Sequence, residues 1–190
     1  MYKNLIFDLG GVVFDEGGEK SVNPLRQAAR DSGQFQALWS NLLLGRLKMK
    51  DCIEILINEN PENKTLLDGI DSYEFLSKNL PPIKETAELM KLLSKSYNVY
   101  VLSNATDAMR DYAVKYLEIP ANIRGIFSCD VNMMKPDFNM FRLALNHFQL
   151  TASETIYFDD KPKNCAAAKF LGMESVVVKS TDDIRKALKL

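Results

Sequence analysis

The chain has 190 residues, 46% of them hydrophobic and 26% charged, with a formal net charge of −1. That length can bury a substantial core without disulfide or metal staples and favours one domain, or one domain carrying an insertion. The near-neutral charge gives no support for a nucleic-acid or anionic-membrane partner, no apolar run approaches the length of a membrane span, and the first residues do not read as a signal peptide.

In chain order, the apolar run LIF ends on Asp8 and reads as a first strand. From residue 16 to residue 80 strand pattern gives way to helical pattern, at Leu25 to Ala29, Phe35 to Leu44, Cys52 to Ile57 and Tyr73 to Leu76. Asp31-Ser32-Gly33 and Asn60-Pro61 read as turns, and Pro81-Pro82 as an exit hinge. Ile83, Ala87 and Met90 share one helix face ahead of the strand VYVL (99–102). Met109, Tyr112, Ala113 and Tyr116 mark a helix before the strand GIFS (125–128). Phe138, Phe141, Leu145 and Phe148 mark another before TIYF (155–158). The stretch from Asn164 to Leu171 is a further helix before SVVV (175–178). Short apolar strands alternating with helices imply βαβ units, and strands that are apolar throughout imply a parallel sheet covered on both faces. The expected fold class is therefore α/β, with a parallel-sheet core built from residues 1–15 and 81–190 and a helical insertion over 16–80. Cys52, Cys129 and Cys165 are odd in number and widely spaced. They fit neither a disulfide framework nor zinc-ligand spacing, and point to reduced thiols in a cytoplasmic protein.

Ligands of open α/β sheets gather at the carboxyl ends of the strands. The polar residues placed there are Asp8, then Ser103 and Asn104, then Lys135 a little beyond the third strand, then Asp159 and Asp160. Carboxylates crowded at neighbouring strand ends raise one another's pKa unless a cation intervenes, and Mg²⁺ suits a site with few carboxylates. Ser103 and the amides that open the next helix can hold a phosphate. Lys135 can neutralise both phosphate and carboxylate. Asp8 can then attack phosphorus to give an aspartyl-phosphate. Any one of these residues alone is an ordinary turn or cap residue; their joint order at successive strand ends carries the argument. His147 is the only histidine and lies in a helical stretch, which disfavours Ser-His-Asp and Cys-His hydrolases. There is no Walker-type phosphate loop, and Gly10-Gly11 lacks the third glycine of a dinucleotide fingerprint.

The segments IFDLGGVVFD, VLSN, MMKPDFNMF and YFDDKPKNCAAAKFLGM resemble, in order and spacing, the four motifs of the haloacid dehalogenase (HAD) superfamily of hydrolases. Within it the chain is most similar to phosphatases related to the epoxide hydrolase N-terminal domain and to bacterial α-D-glucose-1-phosphate phosphatase. The resemblance implies a Rossmann-like core with a helical cap inserted after the first strand, and Mg²⁺ as cofactor. It implies Asp8 as nucleophile and the backbone carbonyl of Gly10 as a metal contact. Ser103 and Asn104 match the phosphate-binding motif, and Lys135 the lysine that steadies phosphate and nucleophile. Asp159 and Asp160 match the acidic pair serving the metal, with Asn164 in support.

Gly10 is the departure, because many such phosphatases carry there an aspartate acting as general acid and base. Its loss costs a contribution typically worth about 10²–10⁴-fold. A good leaving group, such as an anomeric oxygen, or a carboxylate from elsewhere can compensate. Asp15 is near in sequence but points into the linker to the insertion. The expected activity is hydrolysis of a small phosphorylated metabolite, a sugar phosphate in the first instance. The alternatives are a metal-free haloacid dehalogenase and a catalytically weakened phosphometabolite-binding protein. Trp39, Arg46 and Lys48 are candidates for substrate contact from the insertion, but read more readily as cap core and solvated surface.

Overall fold

The computed structural model describes residues 2–17, 24–116 and 124–190. Residues 18–23 of the expected insertion lie outside that set. The centre is a five-stranded sheet of β1 (Asn4–Phe7), β2 (Asn98–Ser103), β3 (Arg124–Phe127), β4 (Thr155–Asp159) and β5 (Glu174–Val177), all parallel, in the order β3-β2-β1-β4-β5. Phe7 pairs with Val101 on one side and Phe158 on the other, so β1 is the middle strand.

Alternation along the strands divides the core into two layers. Leu5, Phe7, Val99, Val101, Phe127, Ile156 and Phe158 face one side. Ile6, Tyr100, Leu102, Ile126 and Tyr157 face the other. The helices are α1 (Pro24–Asp31), α2 (Phe35–Leu43), α3 (Met49–Glu59), α4 (Asn63–Leu67), α5 (Tyr73–Asn79), α6 (Lys84–Leu93), α7 (Asp107–Tyr116), α8 (Ser128–Val131), α9 (Phe138–His147), α10 (Pro162–Phe170) and α11 (Thr181–Leu188). α6, α7 and α11 cover the first face of the sheet through Met90, Tyr112 and Ile184. α9 and α10 cover the second through Met140, Phe141 and Ala168. His147 is exposed at the end of α9. No helix among the described residues is long and apolar enough to cross a membrane.

α1 to α4 have an apolar cluster of their own, with Leu25, Leu42, Cys52, Leu56 and Leu67 nearly inaccessible to water. α5 belongs partly to the sheet side, since Leu76 is buried in the first core layer. The chain leaves and rejoins the sheet through two segments that run side by side. Asp15 N–H donates to Pro81 O and Ile83 N–H to Val13 O, both at 2.8 Å. The residues read as a hinge, Pro81-Pro82, thus lie against the segment that leaves β1.

Three elements depart from the expectations. Ser128 opens α8 instead of closing β3, and its hydroxyl accepts from Ala105 N–H at 3.0 Å. α4 has only five residues, too short to show a period. α11 begins with a capping box between Ser180 and Asp183, whose two backbone hydrogen bonds hold the Asp183 carboxyl below its ordinary pKa.

Leu56 is fully buried in the helical cluster. Leu56→Ala should lower stability by about 2–5 kcal/mol in urea unfolding, the usual cost of a leucine-to-alanine cavity. A change below about 1 kcal/mol would contradict the packing described.

Candidate active site

Strand order alone brings the first three groups together. Asp8 follows β1, while Ser103 and Asp159 end its two neighbours, β2 and β4. Asp8 N–H continues the sheet ladder to Phe158 O at 2.8 Å, which aims the carboxylate past the strand ends. That carboxylate is buried, and three donors converge on its Oδ1: Leu9 N at 2.7 Å, Ser103 Oγ at 2.8 Å and Lys135 Nζ at 2.9 Å. One orientation is thereby selected. Burial pushes the Asp8 pKa up to about 6, with Lys135 acting to lower it and Asp159 to raise it.

Lys135 is buried and divides its ammonium among three acceptors. These are Asp8 Oδ1 at 2.9 Å, Asp159 Oδ2 at 2.8 Å and Leu102 O at 2.9 Å. An ammonium has three hydrogens to donate, so the set is complete. Asn104 holds the backbone of this lysine from both sides: its Nδ2 donates to Lys135 O at 3.0 Å and its Oδ1 accepts from Lys135 N–H at 2.8 Å. The Asn104 side chain is therefore engaged in positioning Lys135.

The acidic pair divides into two environments. Asp159 is fully buried and accepts from Lys135, from Tyr157 OH, from Lys161 N–H at 2.8 Å and from Asn164 Nδ2 at 3.0 Å. Burial alone would raise its pKa; Lys135 and the hydrogen bonds outweigh burial and hold it below the ordinary value. Asp160 is the opposite case. Its Oδ1 is buried without a hydrogen-bond partner, and Lys161 Nζ stands off at 3.7 Å. Burial raises the Asp160 pKa, and the charges of Asp159 and Glu16 add to it against that of Lys161.

Ligand atoms of Asp8, Asp159 and Asp160 all lie within 4.8 Å of one another. A hard divalent cation fits this set. It accounts for the unpartnered Asp160 oxygen, and oxygen ligands of this kind suit Mg²⁺. Gly11 makes room for the arrangement. It has a φ of +73°, and a Cβ there would lie 2.6 Å from the Asp160 carboxyl carbon.

Gly10 makes a similar opening, and another carboxylate occupies it. A Cβ on Gly10 would lie 2.3 Å from Glu16 Oε1. The turn after β1 brings this residue back: Leu9 O accepts amides from Val12, Val13 and Phe14, at 3.2, 2.8 and 2.9 Å. Asp15, near in sequence and expected to point into the linker, is exposed and accepts from Gly17 N–H at 2.8 Å.

A cavity of ≈ 360 Å³ opens over the strand ends, with Glu16, Asn104, Lys135, Lys161, Lys163 and Asn164 on its polar side. From the helical segment Trp39 and Arg26 reach it, the Arg26 guanidinium lying 4.6 Å from the Trp39 ring centroid. Trp39 also packs against the helical cluster. Arg46 and Lys48 are exposed and outside the cavity; Arg46 Nε donates to Asn132 Oδ1 at 2.9 Å. Sequence reasoning passed over Glu16, Arg26, Tyr157 and Lys161. Only Lys161 and Tyr157, flanking Asp159-Asp160, stood where strand-end position could have marked them.

A family model for haloacid dehalogenase-like hydrolases matches residues 5–178. Sesquiterpene phosphatase astK of Aspergillus oryzae is 26% identical over 200 residues, covering 100% of this chain and 95% of that protein. A HAD family enzyme of Bacteroides thetaiotaomicron, in complex with magnesium and inorganic phosphate, superposes with a TM-score of 0.75 at 20% identity over 93% of each chain. An L-2-haloacid dehalogenase from Xanthobacter autotrophicus superposes with a TM-score of 0.62 at 17% identity, over 100% of this chain and 83% of that one. At such identities the two structures speak for the fold alone. The family match runs from the first strand to the last, and the chain belongs to the haloacid dehalogenase-like hydrolases.

Proposed function

We propose that the chain is a Mg²⁺-dependent phosphatase that hydrolyses the phosphate monoester of a small metabolite through an aspartyl-phosphate on Asp8. The observation that carries this reading is the half-buried Asp160 carboxylate, clustered with two buried ones and with its Oδ1 sealed from water without a hydrogen-bond partner. A metal-free dehalogenase has no use for that group, and a protein that only binds phosphate has none for so constrained a nucleophile.

Attack by Asp8 joins its carboxylate oxygen to phosphorus and breaks the ester P–O bond. Water then cleaves the acyl phosphate, releasing inorganic phosphate and restoring the carboxylate. Ser103, Leu9 N–H and Lys135 hold Asp8 in one orientation for the attack. Lys135 also offsets part of the charge of the incoming phosphate, and Asp159 and Asn104 keep it in place. Asp8, Asp159, Asp160 and the Gly10 carbonyl would hold Mg²⁺, which when bound neutralises carboxylate and phosphoryl charge. Residues 16–80, which include α1 to α5, act as a helical cap that helps to exclude water from the site. The three buried free thiols suit a cytoplasmic setting.

A sugar phosphate is the first substrate class to test. A second reading, the phosphate of an apolar alcohol, is favoured by one observation. Next to the polar cavity runs a narrow, mostly apolar cleft lined by Leu25, Trp39, Met49, Ile70, Phe75 and Leu76, with Glu16, Arg26 and Asn79 as its polar residues. The sesquiterpene phosphatase among the relatives points the same way.

Purified protein with Mg²⁺ should release phosphate from one of these two classes, and Asp8→Asn should reduce the rate to background. Phosphate release undiminished in Asp8→Asn, or chloride release from haloacids without Mg²⁺, would contradict the reading. Mg²⁺ at 100 times its Kd should stabilise the wild type by about 2.7 kcal/mol in thermal unfolding. Asp160→Asn should lose most of that gain, and an equal gain in the variant would argue against the metal site. Gly11→Ala should cost about 1–3 kcal/mol through its left-handed φ. It should also weaken Mg²⁺ binding about tenfold or more in calorimetry, since the new methyl displaces Asp160. Unchanged Mg²⁺ affinity would contradict this.

A further inference from the structure

We infer that Glu16 supplies the proton transfers that a side chain at position 10 would otherwise perform, so that this chain's acid and base comes from the segment leading into the helical cap. The inference rests on the phosphatase reading above and adds to it a residue which the motif pattern does not contain.

Three observations carry it. Glu16 Oε1 fills the space into which a side chain at Gly10 would project, 2.3 Å from where its Cβ would stand. A carboxylate attached at position 16 thus reaches the place of one attached at position 10. Glu16 also lines both the polar cavity beside Lys135 and Asn164 and the neighbouring cleft beside Leu25 and Phe75. It therefore stands at the border between the phosphate end and the leaving-group end, where the bond to be broken must lie. Finally, its carboxylate is not one of the three that cluster as candidate metal ligands. Lys161 Nζ lies 3.8 Å from Glu16 Oε2 and 3.7 Å from Asp160 Oδ1, an ammonium set between Glu16 and the Asp8, Asp159 and Asp160 group.

The proton balance closes over one turnover. As Asp8 bonds to phosphorus and the ester P–O bond breaks, protonated Glu16 gives its proton to the departing oxygen, which leaves as the alcohol. Glu16 is then a carboxylate. It takes a proton from the water that attacks the acyl phosphate, the P–O bond to Asp8 breaks with its electron pair returning to the carboxylate, and hydrogen phosphate leaves. Glu16 is again protonated and Asp8 ionised. Gly10, by having no side chain, keeps this position open for Glu16.

The test compares wild type, Glu16→Gln, Gly10→Ala and the double variant on an alkyl phosphate and on p-nitrophenyl phosphate. Gly10 has an ordinary φ, so its methyl displaces the Glu16 carboxylate without straining the backbone. Glu16→Gln should lose about 10²–10⁴-fold in kcat on the alkyl phosphate. On p-nitrophenyl phosphate, whose leaving group needs no proton, it should show a burst of nitrophenolate and accumulate phosphorylated enzyme. Gly10→Ala should lose a similar factor, and the double variant no more than either single one, because both remove the same group. Mg²⁺ affinity by calorimetry should stay within about threefold of wild type in Glu16→Gln. Equal alkyl-phosphate rates in wild type and Glu16→Gln would overturn the assignment and leave the phosphatase reading standing. A parallel loss of Mg²⁺ affinity would make Glu16 a metal ligand and also overturn it. Absence of phosphate release by the wild type itself would overturn both.

Discussion

A single buried ammonium organises this site. Lys135 joins the carboxylates of Asp8 and Asp159 below the surface and ties both to the carbonyl that ends Leu102. Two carboxylates this close and this dry repel one another, and burial penalises each. The lysine offsets both effects, and its own burial is compensated by three acceptors. Removing it would leave two uncompensated buried charges, which is far more costly than losing a surface ion pair, worth about 0–1 kcal/mol. Its surroundings serve the same contact. Asn104 clamps its backbone, Tyr157 and Asn164 complete Asp159, and Ser103 completes Asp8.

The glycine pair after β1 has a complementary task. A site that gathers anions needs room for carboxylates as well as cations to balance them. Gly11 leaves space for Asp160 and Gly10 for Glu16. The absence of a side chain at position 10 is thus a feature of the packing: the space it leaves is occupied by an acid from further along the chain. The same turn closes through the amides of Val12 to Phe14 and then lies against Pro81 to Ile83, so the site and the junction with the helical segment share one piece of backbone.

Much of this was legible in the sequence, for physical reasons that differ from element to element. A parallel strand covered on both faces must be apolar throughout, so LIF, VYVL, TIYF and SVVV mark β1, β2, β4 and β5 to within a residue or two. Asp8, Ser103 and Asp159 were legible because topology, not local conformation, brings strand ends together. α4 was too short for periodicity, and α11 is announced mainly by the Ser180–Asp183 cap. The division of labour between Asp159 and Asp160 was not legible, since it depends on which carboxylate Lys135, Tyr157 and Asn164 reach. Glu16 was hidden for a similar reason. Nothing in the string FDEGGE distinguishes it from Asp15, and only the fold of the turn sends one acid to solvent and the other to the cavity.

The central claim is that Asp8 becomes phosphorylated during turnover. The most direct measurement is a rapid quench of protein with Mg²⁺ and a turned-over phosphomonoester, followed by borohydride reduction and mass spectrometry of the peptide that carries Asp8. The account predicts conversion of Asp8 to the homoserine product, dependent on both Mg²⁺ and substrate. Phosphate release with Asp8 unmodified at every quench time, or with the modification on another residue, would contradict it.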